Sequence, residues 1–343
     1  MATASFILTD PVAGEAVLPW GKGRMASLGG VSCLLYRTRD GSNRHCAYFR
    51  DLSSGQASAV VLMGTAPSNQ WSYNAEYVWT SPEELWVCGG AGPVTARQYQ
   101  LSGSPLPASA QVRSTTDFGD AESRALGMTR LQTGGVVTAW YQHVSGPDIA
   151  YGFAYKAPGQ DWQTVYPVWL HDSSSGFAAQ VATIAEHPAD GSIWFFCKRD
   201  GGSFAHIVHL NVVDGSLVVD WAESGFLADV SDVSRAIHTE IPSLVAVSNP
   251  VKGVLELAFQ NQMLKHYDPP DGPLALSTQV SIAHIHADKT LEWSVWPVYV
   301  PRLSLLGLIA EHGSLWIGAH PTDPVDGHQY GYDDYVAMAK LEN

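Results

Sequence analysis

The sequence predicts an all-β fold, a six-bladed β-propeller of four-stranded antiparallel blades, and three observations point there. One passage occurs twice, as Ile184-Ala185-Glu186-His187 followed by Gly191-Ser192-Ile193-Trp194, and as Ile309-Ala310-Glu311-His312 followed by Gly313-Ser314-Leu315-Trp316. A related segment, Gly253-Val254-Leu255-Glu256, falls midway, so the unit recurs at about 60 residues, the length of a four-stranded blade. Apolar residues alternate in short runs, the period of a strand and not of a helix, and 32 glycines and 20 prolines cluster between those runs.

The elements follow in order from the turn that opens each second strand: Gly30-Val31, Glu83-Glu84, Gly135-Val136, Gly191-Ser192, Gly253-Val254 and Gly313-Ser314. These anchors place blades at 24–63, 75–114, 124–166, 179–221, 242–296 and 302–343, together one domain spanning 1–343. Inner strands are expected before the anchors, as at Ala125 to Leu131, Val181 to Glu186 and Leu244 to Ser248. Third strands share a small/aromatic alternation, seen in Ala150-Tyr151-Gly152-Phe153-Ala154-Tyr155. Fourth strands fall at Ser58 to Met63, Ala110 to Ser114, Trp162 to Tyr166, Leu217 to Trp221 and Leu291 to Trp296. After Tyr335 to Lys340 no residues remain for a fourth strand in the last blade. The segment 5–9, Ser5-Phe6-Ile7-Leu8-Thr9, is therefore expected to join it and close the ring, protecting a sheet edge.

Composition narrows the partners. Asp and Glu number 33 against 19 Lys and Arg, a net charge of −14, and no dense basic stripe interrupts the acidic surface, which argues against nucleic acid. The longest apolar stretch, Leu303 to Ala310, is far short of a bilayer span, so no membrane insertion is expected. The opening residues carry no signal-peptide pattern. The expectation is synthesis in the cytoplasm, with a virion or phage-tail setting as one option. Four cysteines, Cys33, Cys46, Cys88 and Cys197, show no metal-binding spacing and read as buried thiols, with a Cys33–Cys46 bridge as the alternative.

Candidate ligand contacts gather where inner strands begin, because connections between blades emerge there on one face. Arg24, Arg124 and Arg302 stand at three such entrances, with Tyr73 and Glu240 near two others. A planar guanidinium pairs with carboxylate or sulfate; the alternative is a tie to loop carbonyls or to Asp117, Asp120 and Glu122. Trp71 and Trp169 fall near the same loops and could stack on a sugar face. Trp86, Trp194 and Trp316 recur at one repeat position instead, which assigns them to packing between blades. His284 and His286 share a strand face, but two ligands do not make a metal site. No cofactor is expected; the acidic loop containing Asp323, Asp326, Asp333 and Asp334 leaves calcium as an option.

Lys198-Arg199-Asp200-Gly201-Gly202-Ser203-Phe204 and Thr38-Arg39-Asp40-Gly41-Ser42 resemble the Asp-box pattern of sialidase-type and BNR-repeat propellers. That resemblance implies a glycan-directed propeller. A second likeness runs from Asp120-Ala121-Glu122-Ser123-Arg124 through Gly135-Val136-Val137-Thr138-Ala139-Trp140-Tyr141-Gln142-His143. It is similar to a blade of the propeller polysaccharide lyases and implies His143 and Tyr151 as proton carriers, with Arg124 neutralising a uronate carboxylate.

No nucleophile elbow, phosphate loop or dinucleotide fingerprint is present. The expectation is a non-catalytic recognition module that binds a glycan or a partner protein through its loop face, possible within a larger particle. The alternatives are a polysaccharide-active enzyme, lyase before sialidase-type hydrolase, and a purely structural assembly protein.

Overall fold

Among the described residues the regular structure is strand, as the period-two alternation requires. The computed structural model describes residues 4–8, 16–17, 25–38, 44–59, 61–65, 76–90, 92–121, 123–145, 148–169, 182–198, 205–226, 244–263, 277–298, 303–311, 314–321 and 337–341. Along the chain, β1 (Ala4–Leu8) is followed by β2 (Ala16–Val17), β3 (Met25–Leu28), β4 (Val31–Thr38), β5 (Arg44–Asp51) and β6 (Val61–Thr65). The next group is β7 (Glu76–Ser81), β8 (Glu84–Gly89), β9 (Val94–Ser102) and β10 (Ser109–Phe118), then β11 (Ser123–Arg130), β12 (Val136–Ser145), β13 (Asp148–Lys156) and β14 (Trp162–Val168). After them come β15 (Ala182–Glu186), β16 (Ile193–Lys198), β17 (Ala205–Val213) and β18 (Ser216–Phe226), and then β19 (Leu244–Asn249), β20 (Val254–Met263), β21 (Ser277–Ile285) and β22 (Leu291–Val298). The chain ends with β23 (Leu303–Glu311), β24 (Ser314–Pro321) and β25 (Ala337–Leu341).

The result is an all-β propeller of antiparallel four-stranded blades. Four sheets are consecutive meanders, β7 to β10, β11 to β14, β15 to β18 and β19 to β22, and a fifth four-stranded sheet runs β23-β24-β25-β1. In that fifth sheet β1 pairs antiparallel with β25, from Ala4 opposite Leu341 to Leu8 opposite Ala337.

The remaining sheet departs from six equal four-stranded blades, because it has five strands. Both β2 and β3 pair with β4. The eight residues of β4 seat β3 along Val31 to Leu34 and β2 along Arg37 and Thr38, so one edge carries two short strands.

Apolar residues are buried between neighbouring sheets. One cluster joins β15–β18 to β11–β14 through Phe195, Ile184, Phe153 and Leu126, and another joins β7–β10 to β11–β14 through Trp86, Phe118 and Trp140. Inner strands abut in succession: β3 lies against β7, β7 against β11, β11 against β15, β15 against β19, β19 against β23 and β23 against β3. Between them is a cavity of about 480 Å³.

The repeated tryptophans Trp86, Trp194 and Trp316 are buried, as expected of packing residues. All four cysteines are buried thiols. Cys33 stands opposite Phe49 and Cys46 opposite Tyr36, so the Cys33–Cys46 pair does not face across the ladder and no bridge forms. Among the described residues no helix is long and apolar enough to cross a membrane.

Candidate functional site

At the end of the β11–β14 sheet where β11 begins, strand register lines up four residues from the axis outwards. Arg124 on β11 stands opposite Tyr141 on β12, Tyr141 opposite Tyr151 on β13, and Tyr151 opposite Val168 on β14. Cross-strand partners share a sheet face, so this row points one way, towards β15–β18. His143, two residues beyond Tyr141, belongs to the same face; its ring meets that of Tyr141 edge-on, with centroids 5.6 Å apart.

The row changes character along its length. Arg124 is part-exposed and donates from Nη1 to the Ser123 carbonyl at 2.9 Å. Tyr141 is buried at 6% exposure; burial pushes its phenol up and the Arg124 charge pulls it partly back. Tyr151 is also buried, and its hydroxyl accepts a hydrogen bond from Cys197 Sγ of the next sheet at 3.7 Å. Burial, together with the Cys197 thiol and Tyr141, holds the Tyr151 phenol well above its ordinary value.

The other face of the same strand end is built on a tight turn. Asp120 donates its backbone N–H to Ser123 Oγ at 2.9 Å, and Ser123 returns its own N–H to the Asp120 carbonyl at 3.1 Å. Gly119 makes this possible: its φ is +65°, and a Cβ there would lie 2.1 Å from Ser123 Oγ. The Asp120 carboxylate accepts from the Gln142 side-chain amide. Phe118 and Trp140 stack with centroids 5.4 Å apart, and the Trp140 indole packs against Gly152.

Of the ligand contacts named from the sequence, Arg124, His143 and Tyr151 come to one face of one sheet. Trp169 follows β14 at the same end and is 47% exposed. Arg24, Trp71, Tyr73, Glu240 and Arg302 lie outside the described residues, as do the Asp-box-like stretch after Lys198, the one after Thr38, and the acidic loop from Asp323 to Asp334. Tyr141 was missed. Its signal was available in the strict alternation that puts Tyr141 and His143 on one face of a strand.

Of the two histidines considered for metal, His284 is engaged otherwise. His284 Nδ1 pairs with the fully buried Glu256 carboxylate, and Asn249 Nδ2 donates to the other oxygen at 2.9 Å. His209 is 3.2 Å from Asp220 and stacks on Trp221 at 4.8 Å. Among the described residues no group of three or more His, Cys, Asp or Glu side chains is arranged to hold a metal ion.

At the opposite end of the inner strands, the cavity is bounded by Glu186, Arg130, Gln132 and Glu311. Glu186 Oε2 accepts the Gln132 backbone N–H at 2.6 Å, and burial pushes its carboxyl up to about 7.

No protein-family model matches the chain, and no curated protein does. Solved structures are similar to it in fold. An α-L-arabinanase from Penicillium chrysogenum, complexed with arabinobiose, matches with a TM-score of 0.58 at 11% identity, covering 100% of this chain and 98% of that one. A sialidase from Trypanosoma rangeli, in complex with the inhibitor DANA, matches with a TM-score of 0.55 at 10% identity over 99% of this chain; the match spans 60% of the sialidase. A protein of unknown function from Dyadobacter fermentans matches with a TM-score of 0.53 at 11% identity, covering 96% and 98%. The chain thus shares the propeller fold of sialidase-like proteins, at an identity that speaks to architecture alone.

Proposed function

We propose that this chain is a non-catalytic carbohydrate-recognition propeller that engages an acidic glycan at the Arg124 end of the β11–β14 sheet. The observation that carries the reading is the graded row itself. A part-exposed guanidinium stands at its inner end, and the phenols beyond it are closed into the core. Arg124 can offer paired hydrogen bonds to a carboxylate or sulfate. Tyr151 is poorly placed to exchange a proton with a sugar, because it is 7% exposed and its hydroxyl is held by Cys197. Among its structural neighbours, an arabinanase and a sialidase act on carbohydrates, which favours a glycan over other ligand classes.

The proposal includes a ring of six blades, the five-stranded sheet among them, with β1 closing the circle through β25. The unbroken succession of inner strands from β3 round to β23 and back supports it.

A glycan array of wild type and Arg124→Ala tests the function. Binding to uronate or sulfated glycans is expected, with about a tenfold or greater loss in the variant, since a hydrogen bond to a charged group is worth about 1.5–3 kcal/mol. Silence across acidic glycans would sink the reading and favour a protein partner at the same face, or a structural role in a larger assembly.

A lyase is the second reading, favoured by one observation: Arg124, His143 and Tyr151 share a face. Incubation with uronate polysaccharides would then raise the absorbance of unsaturated products, and His143→Ala would abolish the rise.

A further inference from the structure

Three large apolar side chains are exposed at one end of the β11–β14 sheet. They are Val144 at 48%, Tyr166 at 42% and Trp169 at 47%; of the other exposed large apolar residues among the described residues, Val213 and Val218 share the β17–β18 hairpin and Leu62, Val112 and Val251 stand singly on other sheets. Such a local concentration on a folded surface marks a contact site. Its setting is polar on one side. Tyr166 lies in the β14 bulge between Val165 and Val168, across from Gly152, and Gly152 is the residue against which the Trp140 indole packs. Gln142, next but one to Trp140 on β12, reaches the Asp120 carboxylate. Desolvation, and after it the Asp120 charge, raise the Tyr166 phenol.

We propose that this rim is a second carbohydrate subsite, formed by Tyr166, Asp120 and Gln142 and selective for an uncharged sugar residue. An exposed aromatic ring offers its face to the C–H side of a pyranose. A carboxylate and a primary amide beside it accept from and donate to sugar hydroxyls, and both are already oriented: the Asp120 carboxylate accepts from Ser123 Oγ at 3.4 Å and from the Gln142 amide, which is held in turn by Asp120. The same carboxylate repels uronates and sulfates, which separates this subsite from the Arg124 face in ligand chemistry as well as in position. The inference goes beyond the Arg124 reading and shares with it only the glycan class.

Affinity electrophoresis of the full chain through gels containing arabinan, xylan or galactomannan tests it. Wild type and Arg124→Ala are expected to be retarded equally by at least one of these neutral polymers. Tyr166→Ala should lose about tenfold in affinity, Tyr166→Phe should retain it, and Asp120→Asn should weaken it. Retardation of Tyr166→Ala equal to wild type, or no retardation of wild type by any neutral polymer, would overturn the subsite. A wild type that binds acidic glycans but no neutral polymer would condemn this inference alone, whereas a wild type that binds neutral polymers but no acidic glycan would condemn the Arg124 reading alone.

Discussion

Two buried carboxylates respond to pH in opposite senses. Burial raises the Glu186 carboxyl to about 7, so its protonated form is the one the fold accommodates. Its contribution is fully present below the ordinary carboxyl range and is lost as pH rises through about 7. Glu256 runs the other way. Burial would raise it, but the hydrogen bond and charge of His284, with Lys252 and Asn249, outweigh that and hold it below its ordinary value. Its contribution is present at neutral pH and is lost as pH falls through the acid range. Thermal melts against pH should therefore show Glu186→Gln flattening the neutral limb while leaving the acid limb alone. Glu256→Ala, which leaves His284 and Lys252 without their anion, should cost about 3–5 kcal/mol at neutral pH. Gly152→Ala should cost about 1–3 kcal/mol in denaturant titrations, because the added Cβ would meet the Trp140 indole at 2.2 Å. At this scale the sequence was only partly legible. The likeness to a propeller-lyase blade put Arg124, His143 and Tyr151 together, but it could not show that Tyr151 is sealed by Cys197, a contact between residues of different sheets.

Hairpins show why degenerate motifs are hard to read. The Asp-box-like stretches singled out in the sequence lie outside the described residues; an aspartate clasp stands at the repeat itself. Asp190 Oδ1 accepts from the N–H and the hydroxyl of Ser192, at 3.0 and 2.6 Å, and Ser192 Oγ accepts from Trp194 Nε1 at 2.9 Å. Asp288 holds Thr290 by the same two bonds, at 3.0 and 2.6 Å, in the β21–β22 turn. The chemistry is an aspartate bridging two residues on, a local geometry that tolerates either Ser or Thr and so escapes a fixed pattern. Ser192→Ala should destabilise by about 1–3 kcal/mol in chemical denaturation, since the buried indole N–H would lose its acceptor. Strand positions were legible almost throughout, because each anchor glycine or glutamate precedes an alternating run. The two-part edge of β4 was not, since β2 has only two residues and too little pattern to announce itself.

At the scale of the molecule, the repeat made the antiparallel four-stranded blades readable but not the five-stranded sheet among them, and β1 pairs with β25. If that pairing also closes the ring, removing residues 1–10 should lower the melting temperature by several degrees and broaden the transition, because the edge of β25 would be left bare. An unchanged melt would mean that closure contributes nothing. Ligand identity was less legible, because it depends on loops that carry chemistry without periodicity. Calorimetric titration with an oligoglucuronate is the most direct test of the whole reading. Wild type should bind it without releasing unsaturated product, and Arg124→Ala should bind at least about tenfold more weakly. Equal affinity in the two proteins, or no heat of binding in either, would contradict a recognition face at Arg124.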